Sequence, residues 1–333
     1  MKLFLILFSL GLATASLAQS PTEQTPAETA RGFMRTGDWD NAILVLNRAL
    51  QQDPNNLSLQ KDLTLSYYYK RDYSKALDHV KPLLERDDAD VVVYQIAGNV
   101  YKALEEVKDA DKMYKKALKK FPNSGALYSE YGELLWAKND YEAIKYWEKG
   151  IEADPSNAGN YYNAALYYYY TKDKIWTLIY GEIFVNMEYL TERATQMKKL
   201  LLSAYKEKLY ADMKDDKTKS PFAKAVFQTF DKQASLVSKG ITTESLNMIR
   251  TRFILDWFAS YGKKYPFKLF DYQQQLIRDG MFEAYNQWLF GAVENLPAYD
   301  QWSKNNPDAF NKFSAFQKSR VFKMPSGQYY QEL

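Results

Sequence analysis

One pattern of residues recurs along the first half of this 333-residue chain at nearly constant spacing. In its first copy, a short turn is followed by a bulky aromatic residue, a helix with two small residues, and a proline that ends the helix. The anchors of this copy are Gly37, Asp38, Trp39, Ala42, Leu46, Ala49 and Pro54. The anchors of the next three copies are Arg71, Asp72, Tyr73, Ala76, Val80, Leu83 and Asp88, then Glu105, Glu106, Val107, Ala110, Tyr114, Ala117 and Pro122, then Asn139, Asp140, Tyr141, Ala143, Trp147, Gly150 and Pro155.

A second set of anchors precedes each copy, and the period of both sets is close to 34 residues. We therefore predict two helices per unit, a leading and a trailing helix, because small residues let a helix pair approach closely while large rings fill the neighbouring gap. One such unit cannot bury its apolar face alone, so successive units must stack. The leading-helix anchors are Ala30 and Phe33, then Leu63, Thr64 and Tyr67, then Tyr94, Ala97, Gly98 and Tyr101, then Tyr128, Tyr131, Gly132 and Leu135, then Tyr161, Ala164, Ala165 and Tyr168.

This spacing of small, aromatic and proline positions resembles the tetratricopeptide repeat family, and the resemblance covers residues 23–170. It implies a right-handed solenoid of tetratricopeptide helix pairs over residues 28–174. With the helical periodicity of the second half, described below, the expected fold class is all-α: this solenoid followed by a helical C-terminal domain. The chain departs from the family pattern at three positions. Pro82 lies inside the second trailing helix, Asp88 replaces the terminal proline, and Thr64 replaces a small residue. We expect Pro82 to kink its helix or shorten it.

The resemblance also implies where a partner would bind, because leading helices of this family line a concave groove that usually holds an extended peptide or a partner helix. Tyrosine and tryptophan suit such a groove by their wide apolar surface and polar tip, and asparagine can satisfy a bound backbone. Any single aromatic residue could instead serve packing between repeats. Carried over position by position, the groove contains Leu65, Tyr68, Tyr69, Asn99, Lys102, Trp136, Tyr162, Asn163 and Tyr169.

One subclass of the family holds the terminal carboxylates of a peptide with lysine, asparagine and arginine at fixed groove positions. Lys61 occupies one of these positions in our sequence. Leu65, however, stands where the asparagine is needed, and no Lys-Arg pair follows in the third unit. We therefore exclude this carboxylate clamp.

Residues 1–18 have the order of a secretory signal peptide. Lys2 precedes an apolar run over residues 3–12, and small residues then lead to Ala18, our first choice for the cleavage position, with Ala15 as the second. The apolar run is too short for a membrane span. A retained N-terminal anchor is the alternative. We expect an exported protein, periplasmic or extracellular, with no integral membrane span after signal removal.

Composition narrows the chemistry further. The chain contains no cysteine, which excludes disulfides, thiolate metal sites, a cysteine nucleophile and bacterial lipid attachment. Its formal net charge of +3 is too small to imply a nucleic-acid partner. Residues 19–27 are rich in Ser, Pro, Thr and Gln, and we predict a disordered lead-in there.

From about Ile175 the repeat signature fades while helical periodicity continues, and no strand-like alternation appears. We expect a helical C-terminal domain over residues 175–323, packed against the last repeat, and a loose tail over residues 324–333. Degenerate repeats that continue the solenoid are the alternative, and we recognise no family for this half. Predicted helices run over residues 187–205, from Ser220-Pro221 towards Gly240, over 246–257 and 277–289, and from Asn306-Pro307, with a polar linker from Lys214 to Lys219.

We predict no catalytic, metal or cofactor site. The single histidine, His79, has no second histidine or cysteine with which to bind a transition metal. Ser203 and Lys206 match a Ser-x-x-Lys nucleophile motif, but the partner motifs of that enzyme class are missing. Aspartates between the second and third units lack the glycine and glutamate of a calcium loop. A strip of lysines on the third trailing helix is interpreted as a solvated face.

Three functions are compatible with these observations. The first is a secreted or periplasmic, non-enzymatic scaffold that binds a protein or peptide in its groove. The second is a glycan-binding helical protein of the cell envelope, in which the aromatic face stacks on sugar rings; the proteins it resembles are longer and lipid-anchored through cysteine. The third is an enzyme with a carboxylate pair in the C-terminal half. Candidates for that pair are Asp256, Asp271, Asp279 and Glu283, and the sequence selects neither a pair nor an oligomeric state.

Overall fold

The computed structural model describes residues 25–171, 173–210, 219–238 and 240–331. The predicted signal peptide and residues 214–218 of the predicted linker lie outside the described residues. Within the described ranges all regular secondary structure is helical, so the predicted all-α class is confirmed. None of the helices in these ranges is long and apolar enough to cross a membrane. The chain divides into two compact units between Leu83 and Leu84.

The first unit contains two helix pairs. Thr25, Asp38 and Asn56 cap the first three helices, each side chain accepting a hydrogen bond from the backbone N–H three residues later. Neighbouring helices pack on one another and enclose an apolar core of Ala30, Leu46, Ala49, Leu59 and Leu63. The helices are α1 (Pro26–Thr36), α2 (Trp39–Gln52), α3 (Leu57–Tyr69) and α4 (Tyr73–Leu84).

The second unit holds the remaining helices. Single π-helical segments follow α11 and α15, over Ala204–Leu209 and Gln287–Gly291, and a 3-10 turn follows α12 over Ala234–Val237. The helices are α5 (Val91–Ala103), α6 (Val107–Lys120), α7 (Gly125–Ala137), α8 (Ala143–Ala153), α9 (Ala158–Thr171), α10 (Lys174–Met187), α11 (Glu192–Ser203), α12 (Pro221–Asp231), α13 (Thr243–Ser260), α14 (Lys268–Arg278), α15 (Phe282–Asn286), α16 (Ala292–Glu294), α17 (Leu296–Asn305) and α18 (Pro307–Lys318).

The turn inside each of the first four helix pairs has the same backbone conformation. Its left-handed residue is Gly37, Arg71, Glu105 or Asn139, with φ of 77°, 66°, 58° and 59° respectively, and each lies 34 positions after the one before. This conformation is costly for any residue with a Cβ atom. Its recurrence at three non-glycine positions means that the packing of the pair, rather than the local residue, sets the turn. The predicted alignment of the four units is confirmed.

Small residues stand where the two helices of a pair approach each other most closely. A Cβ atom on Gly98 of α5 would lie 2.6 Å from ring atom Cζ of Tyr114 on α6. Tyr114 is fully buried, so the ring fills the space that the glycine leaves. The small-and-large pattern that defines the repeat is therefore a packing requirement.

Two expectations about the repeats concern the residue at which α1 begins and the length of α4. Thr25 and Glu28 form a capping box that starts α1 at Pro26, two residues inside the predicted lead-in of residues 19–27. That lead-in was therefore predicted too long. In the second repeat, α4 runs through Pro82 and ends two residues later. It has 12 residues, between the 14 of α2 and α6 and the 11 of α8, which contains no proline, so its length alone does not show an effect of Pro82.

The prediction of one helix over residues 187–205 is wrong. The chain leaves the helix after Met187, and Thr191 caps a new one by accepting a hydrogen bond from Ala194 N at 3.3 Å. Leu190, which was assigned to the apolar face, lies in this break and is 84% exposed. The sequence signal for this break is Thr191, a capping residue inside the apolar period, and a prediction from hydrophobic spacing alone does not take it into account.

The predicted helix over residues 277–289 is also wrong as a single helix. Gly280, with φ of 68°, ends α14 and separates it from α15. The other starts predicted in this half are confirmed: Ser220 caps α12 with Pro221 in its first turn, and α18 begins at Pro307. Gly280, in the left-handed region, ends a helix inside an otherwise continuous apolar pattern.

The second unit contains a buried ion pair that the sequence did not predict. Arg250 of α13 and Glu182 of α10 form it, and both side chains are almost inaccessible to solvent. Glu182 also accepts hydrogen bonds from Gln273 and Tyr285, each at 2.6 Å. Burial lowers the pKa of Arg250, but the charge of Glu182, together with the contributions of Tyr205 and Tyr285, outweighs burial and raises the pKa, so the guanidinium stays protonated. The pair joins α10, α13, α14 and α15.

The tail is not loose over its described part. Met324 and Gln331 are buried, and Ser220 Oγ donates a hydrogen bond to Tyr330 O at 2.6 Å. The prediction of a loose tail over residues 324–333 is therefore wrong for residues 324–331. Hydrogen bonds to Ser220 at the start of α12 and to Tyr168 of α9 hold these residues in place.

Candidate partner-binding face

All nine residues predicted to contact a partner lie on leading helices, and all are at least partly exposed. We use the name leading-helix face for the solvent-facing surface of these leading helices within each unit. The part in the first unit consists of Leu65, Tyr68 and Tyr69 on α3. The part in the second unit consists of Asn99 and Lys102 on α5, Trp136 on α7, and Tyr162, Asn163 and Tyr169 on α9.

In the first unit the face ends in a cluster of aromatic rings. Tyr69 is 54% exposed, and its ring stacks on Trp39 with 5.2 Å between centroids. Tyr68 contacts the rings of Tyr69 at 5.3 Å and Tyr73 at 5.6 Å. Burial raises the pKa of Tyr68, so its hydroxyl remains a neutral donor and acceptor. This edge offers apolar surface with several hydroxyl groups.

In the second unit, Asn163 belongs to a hydrogen-bonded group that joins α7 and α9. Its amide donates to Glu133 Oε1 at 3.0 Å and to Ser129 Oγ at 3.3 Å. Ser129 Oγ donates to the same carboxylate oxygen at 3.4 Å. Glu133 is exposed, and within the described residues no lysine or arginine forms an ion pair with it. Neutral donors therefore orient this carboxylate while its charge stays available to a ligand.

A second carboxylate lies deeper on the same helix. Glu130 accepts hydrogen bonds from Gln95 Nε2 at 2.7 Å and from the Tyr114 hydroxyl at 3.0 Å. Burial raises the pKa of Glu130, and these two donors, with the nearby charge of Lys102, act in the opposite direction. Lys102 is exposed beside it. The face thus places two acids and one base among amide and aromatic groups.

Trp136 serves packing and remains partly open. Its ring contacts Tyr141 and Tyr167 with centroid distances of 5.6 Å each, and Trp147 at 6.0 Å. Trp147 is buried, whereas Tyr141 is 60% exposed. The edge-to-face geometry of these rings fixes their orientation. The result is a rigid aromatic corner at the end of α7.

Tyr162 and Tyr169 contact α11, a helix that sequence analysis did not include in the repeats. The Tyr162 hydroxyl lies 3.5 Å from Gln196 Oε1, and the Tyr169 hydroxyl lies 2.8 Å from Ser203 Oγ. Both pairs are separated by 34 positions, as are Asn163 and Ser129. Hence α11 occupies the place of a further leading helix. Counting 34 forward from each polar groove position would have found it, although the small and aromatic anchors had faded.

The carboxylates considered for an enzyme do not come together in the described residues. None of the four is buried. Asp256 accepts a hydrogen bond from Gln233 at 2.7 Å, and Glu283 accepts one from the indole of Trp302 at 2.9 Å. Partial loss of hydration raises the pKa of Asp271, although its side chain is exposed, and the charges of Lys268 and Arg278 oppose this. The carboxylate that is deeply buried near a cavity is Glu182, which the sequence did not single out; the cavity beside it has room for about one water molecule.

The other candidates for chemistry have structural contacts. The His79 ring stacks on Tyr67 at 5.0 Å between centroids, and burial lowers the pKa of His79. Ser203 contacts Tyr169, while Lys206 pairs with Glu294 at 2.8 Å. In the described residues no group of three or more His, Cys, Asp or Glu side chains is placed to hold a metal ion. Three of the strip lysines contact Asp111, Glu85 and the Asp87 carbonyl.

Comparison with known proteins agrees with the repeat geometry. A tetratricopeptide repeat family model matches residues 97–158. A tetratricopeptide repeat-containing protein of Methanocaldococcus jannaschii is 25% identical over 176 residues, which is 47% of this chain and 31% of that protein. The chain therefore spans about a third of the length of this relative.

Two solved structures of tetratricopeptide repeat proteins have a limited similarity to this chain. A tetratricopeptide repeat protein of Thermus thermophilus has a TM-score of 0.45 and 16% identity, covering 53% of this chain and 97% of its own. One from Parabacteroides merdae has a TM-score of 0.43 and 14% identity, covering 81% and 98%. The recurring left-handed turn, the helix pairs and the matching family model are the stronger observations. Residues 97–158 are thus similar to the tetratricopeptide repeat family, and the two helix pairs that precede α5 share the same turn geometry.

Proposed function

We propose that this protein is an exported, non-enzymatic tetratricopeptide scaffold that binds a protein or peptide partner on its leading-helix face. Members of the family mediate protein–protein interactions. The observation that carries the proposal is the group around Asn163, in which neutral donors hold the exposed Glu133 carboxylate in a fixed orientation. Preorganised polar groups of this kind lower the cost of ordering an interface.

The chemistry of the face favours an extended peptide. Asn99 and Asn163 can exchange hydrogen bonds with a peptide backbone. Trp136, Tyr162 and Tyr169 are partly exposed rings that offer apolar contact with few rotatable bonds. The exposed Glu133 can pair with a cationic or N–H group of the partner. Backbone, apolar and charged contacts are thus all available on neighbouring helices.

The test compares capture of partners by the mature chain and by a variant with Tyr68→Ala, Trp136→Ala and Tyr169→Ala. Both are crosslinked in the native envelope or medium, and bound proteins are identified by mass spectrometry. We expect species captured by the parent to be lost by the variant. A matched control carries Leu44→Ala, Leu255→Ala and Leu296→Ala, which remove exposed apolar side chains outside the leading helices. Equal capture by the parent and a folded triple variant would refute the assignment of the face.

Export is tested separately from binding. The expected signal cleavage after Ala18 gives a mature chain that begins at Gln19. N-terminal sequencing of the protein purified from its native source checks this. A chain that retains residues 1–18 would contradict export with cleavage, whatever the capture experiment shows.

A glycan ligand is the second candidate, and the aromatic corner is the observation that favours it. Tyr141 is widely exposed beside the half-buried rings of Trp136 and Tyr167, and exposed rings stack on sugars. Binding of the parent to a glycan array, lost with Tyr141→Ala and Trp136→Ala and accompanied by no captured protein, would support this function over the scaffold.

A further inference from the structure

The segment after α18 runs back across the second unit as a strap. We call residues 319–331 the C-terminal strap. Lys268 N donates to Gln328 Oε1 at 2.6 Å, and Tyr330 OH donates to Pro266 O at 2.9 Å. These bonds, with that from Ser220 Oγ to Tyr330 O, come from the beginnings of α12 and α14. The strap is thus fastened by hydrogen bonds at several points rather than by apolar contact alone.

One aromatic side chain, that of Tyr330, anchors the strap near its end. The ring of Tyr330 stacks on Phe222 with 4.7 Å between centroids, and it contacts Tyr265 at 5.6 Å and Phe267 at 6.1 Å. Gly327, with φ of 81°, forms the turn that leads into this contact. The position of residues 328–331 therefore depends on one seated ring and a few hydrogen bonds.

The end of the strap closes over a buried carboxylate. Glu148 of α8 is 1% exposed, and it accepts hydrogen bonds from the hydroxyls of Tyr168 and Tyr180 at 2.8 Å each. The side chains of Tyr329 and Gln331 also hydrogen-bond to Glu148. Gln331 Nε2 in addition donates to Tyr168 OH at 2.7 Å. The strap supplies part of the shell that separates this carboxylate from water.

The shell around Glu148 contains no positive charge in the described part of the chain. The tyrosines that face it come from α9, α10 and the strap, and no lysine or arginine in the described residues forms an ion pair with it. Burial raises the pKa of Glu148 to about 7, and the hydrogen bonds oppose this only in part. The titratable groups facing Glu148 are Tyr161, Tyr168, Tyr180 and Tyr329, and the further charges acting on these tyrosines are those of Glu152, Asp154 and Asp173.

We propose that the C-terminal strap is a proton-controlled latch, seated when Glu148 is protonated and loosened when Glu148 is ionised. Opening the strap admits water to the carboxylate, which removes the cost of a buried, uncompensated charge. The seated state therefore holds the proton more tightly than the open state does. Protonation of Glu148 on α8 is thereby coupled to the position of the C-terminal strap, which follows α18.

The sign and size of the effect follow from proton linkage. An open strap leaves Glu148 near its ordinary pKa of 4.5, whereas the seated value is about 7. The seated-to-open ratio is highest below pH 4.5, falls by up to about tenfold per pH unit between 4.5 and 7, and is flat above 7. Between pH 5 and 7 the ratio should fall by up to about a hundredfold.

The absence of cysteine makes a direct test possible. Ser326→Cys introduces a single thiol at an exposed turn of the strap, where a nitroxide spin label can be attached. Electron paramagnetic resonance spectra at pH 5, 6, 7 and 8 give the mobile fraction of the label. We expect this fraction to rise from pH 5 to 7 and then to remain constant. A mobile fraction that is independent of pH would overturn the proposal.

Three variants of the labelled chain serve as controls. Glu148→Gln keeps the hydrogen-bonding shape without a charge, and we expect an immobile label at every pH. Tyr330→Ala removes the aromatic anchor, and a label that is mobile at every pH would confirm that the spectrum reports on seating. Glu152→Gln changes a nearby carboxylate that pairs with Lys149 at the surface, and its transition should match that of the parent. Persistence of the parent transition in Glu148→Gln would contradict the latch.

One more variant keeps the proposal testable if Glu148→Gln does not fold. Tyr329→Phe removes one hydrogen bond that favours the ionised carboxylate. The pKa of Glu148 in the seated state should then rise, and the transition should end at a higher pH than in the parent. An unchanged transition in folded Tyr329→Phe would also count against the latch. Circular dichroism establishes which variants are folded.

Discussion

Gly132 of α7 lies directly against the indole of Trp147 on α8, so that a Cβ atom at Gly132 would come within 2.6 Å of ring atom Cδ1. The same indole donates a hydrogen bond from Nε1 to the Ser129 carbonyl, one turn earlier on α7, at 3.2 Å. Glycine and tryptophan therefore act as one unit: the missing side chain makes room for the ring, and the ring satisfies a backbone carbonyl of the helix that it touches. Gly98 and Tyr114 have the corresponding contact one repeat earlier.

Replacing Gly132 by Ala should destabilise the protein by about 1–3 kcal/mol, because the ring of Trp147 must move and its hydrogen bond must lengthen. Chemical denaturation monitored by tryptophan fluorescence measures this. The matched control is Gly32→Ala in α1, where the nearest atom would be 3.9 Å away. That change should be neutral or stabilising by up to about 1 kcal/mol. Equal effects of the two changes would contradict this account of the pair.

The left-handed turn residues give a second prediction. Glu105 has φ of 58°, and Glu105→Gly should stabilise the protein by up to about 1 kcal/mol by relieving this conformation. Lys108→Gly, a change to glycine inside α6 three residues later, should instead destabilise by about 1 kcal/mol. Denaturant unfolding of both variants decides the matter. A loss of stability in Glu105→Gly would mean that the glutamate side chain contributes more than the backbone conformation costs.

The buried ion pair between Glu182 and Arg250 should be sensitive to removal of either partner. Glu182→Gln leaves the guanidinium buried without its counter-charge, and we expect a loss of about 3–5 kcal/mol. Glu188→Gln, which breaks a surface pair with Arg193 close by in the sequence, should cost about 0–1 kcal/mol. The comparison is made by thermal and denaturant unfolding. Similar losses in the two variants would argue against a special role for the buried pair.

Lys198 should make stability rise with pH in the alkaline range. Burial lowers its pKa to about 7 from 10.5. The Trp288 ring, whose centroid lies 3.7 Å from Lys198 Nζ, favours the charged form of the lysine. Lys198 Nζ also donates a hydrogen bond to the Trp288 carbonyl at 2.9 Å. These two contacts replace the lost water only in part, so the net effect of burial is to lower the pKa. Between pH 7 and 10.5 the unfolded chain binds more protons at this site, which makes unfolding harder as pH rises. Relative to Lys198→Met, the parent should gain stability across this window and be flat below it.

The repeats could be predicted because they follow a period that packing enforces. Gly37, Arg71, Glu105 and Asn139 share neither size nor charge, yet alignment on their neighbours placed all four at the same turn. What the period did not reveal was where a helix stops inside an apolar pattern. Thr191 interrupts such a pattern by capping a new helix, and Gly280 interrupts another through its left-handed backbone. Each effect depends on a single residue rather than on the apolar face of a helix.

Long-range partners were beyond the sequence for a different reason. Glu182 stands in a run of apolar residues, and its partner Arg250 is 68 positions away, so no spacing rule connects them. Tyr330 and Gln331 were placed in a loose tail because their hydrogen-bond partners Ser220 and Tyr168 lie more than a hundred positions earlier. On the leading-helix face, the positions of Glu133, Trp136 and Asn163 could be predicted from the sequence, but the hydrogen bond from Asn163 that orients the Glu133 carboxylate could not, because it joins two helices.

The π-helical segment at Ala204–Leu209 follows directly on α11, the last helix with contacts at the 34-residue spacing. A π-helical turn takes more residues than an α-helical turn, so side chains beyond it are rotated away from the ladder that Ser203 still shares with Tyr169. The terminal repeat of an array exposes the surface on which the next repeat would pack, unless that surface is capped. The π-helical segment changes the rotation of the side chains along the chain at this point, and the series of contacts at 34-residue spacing ends there.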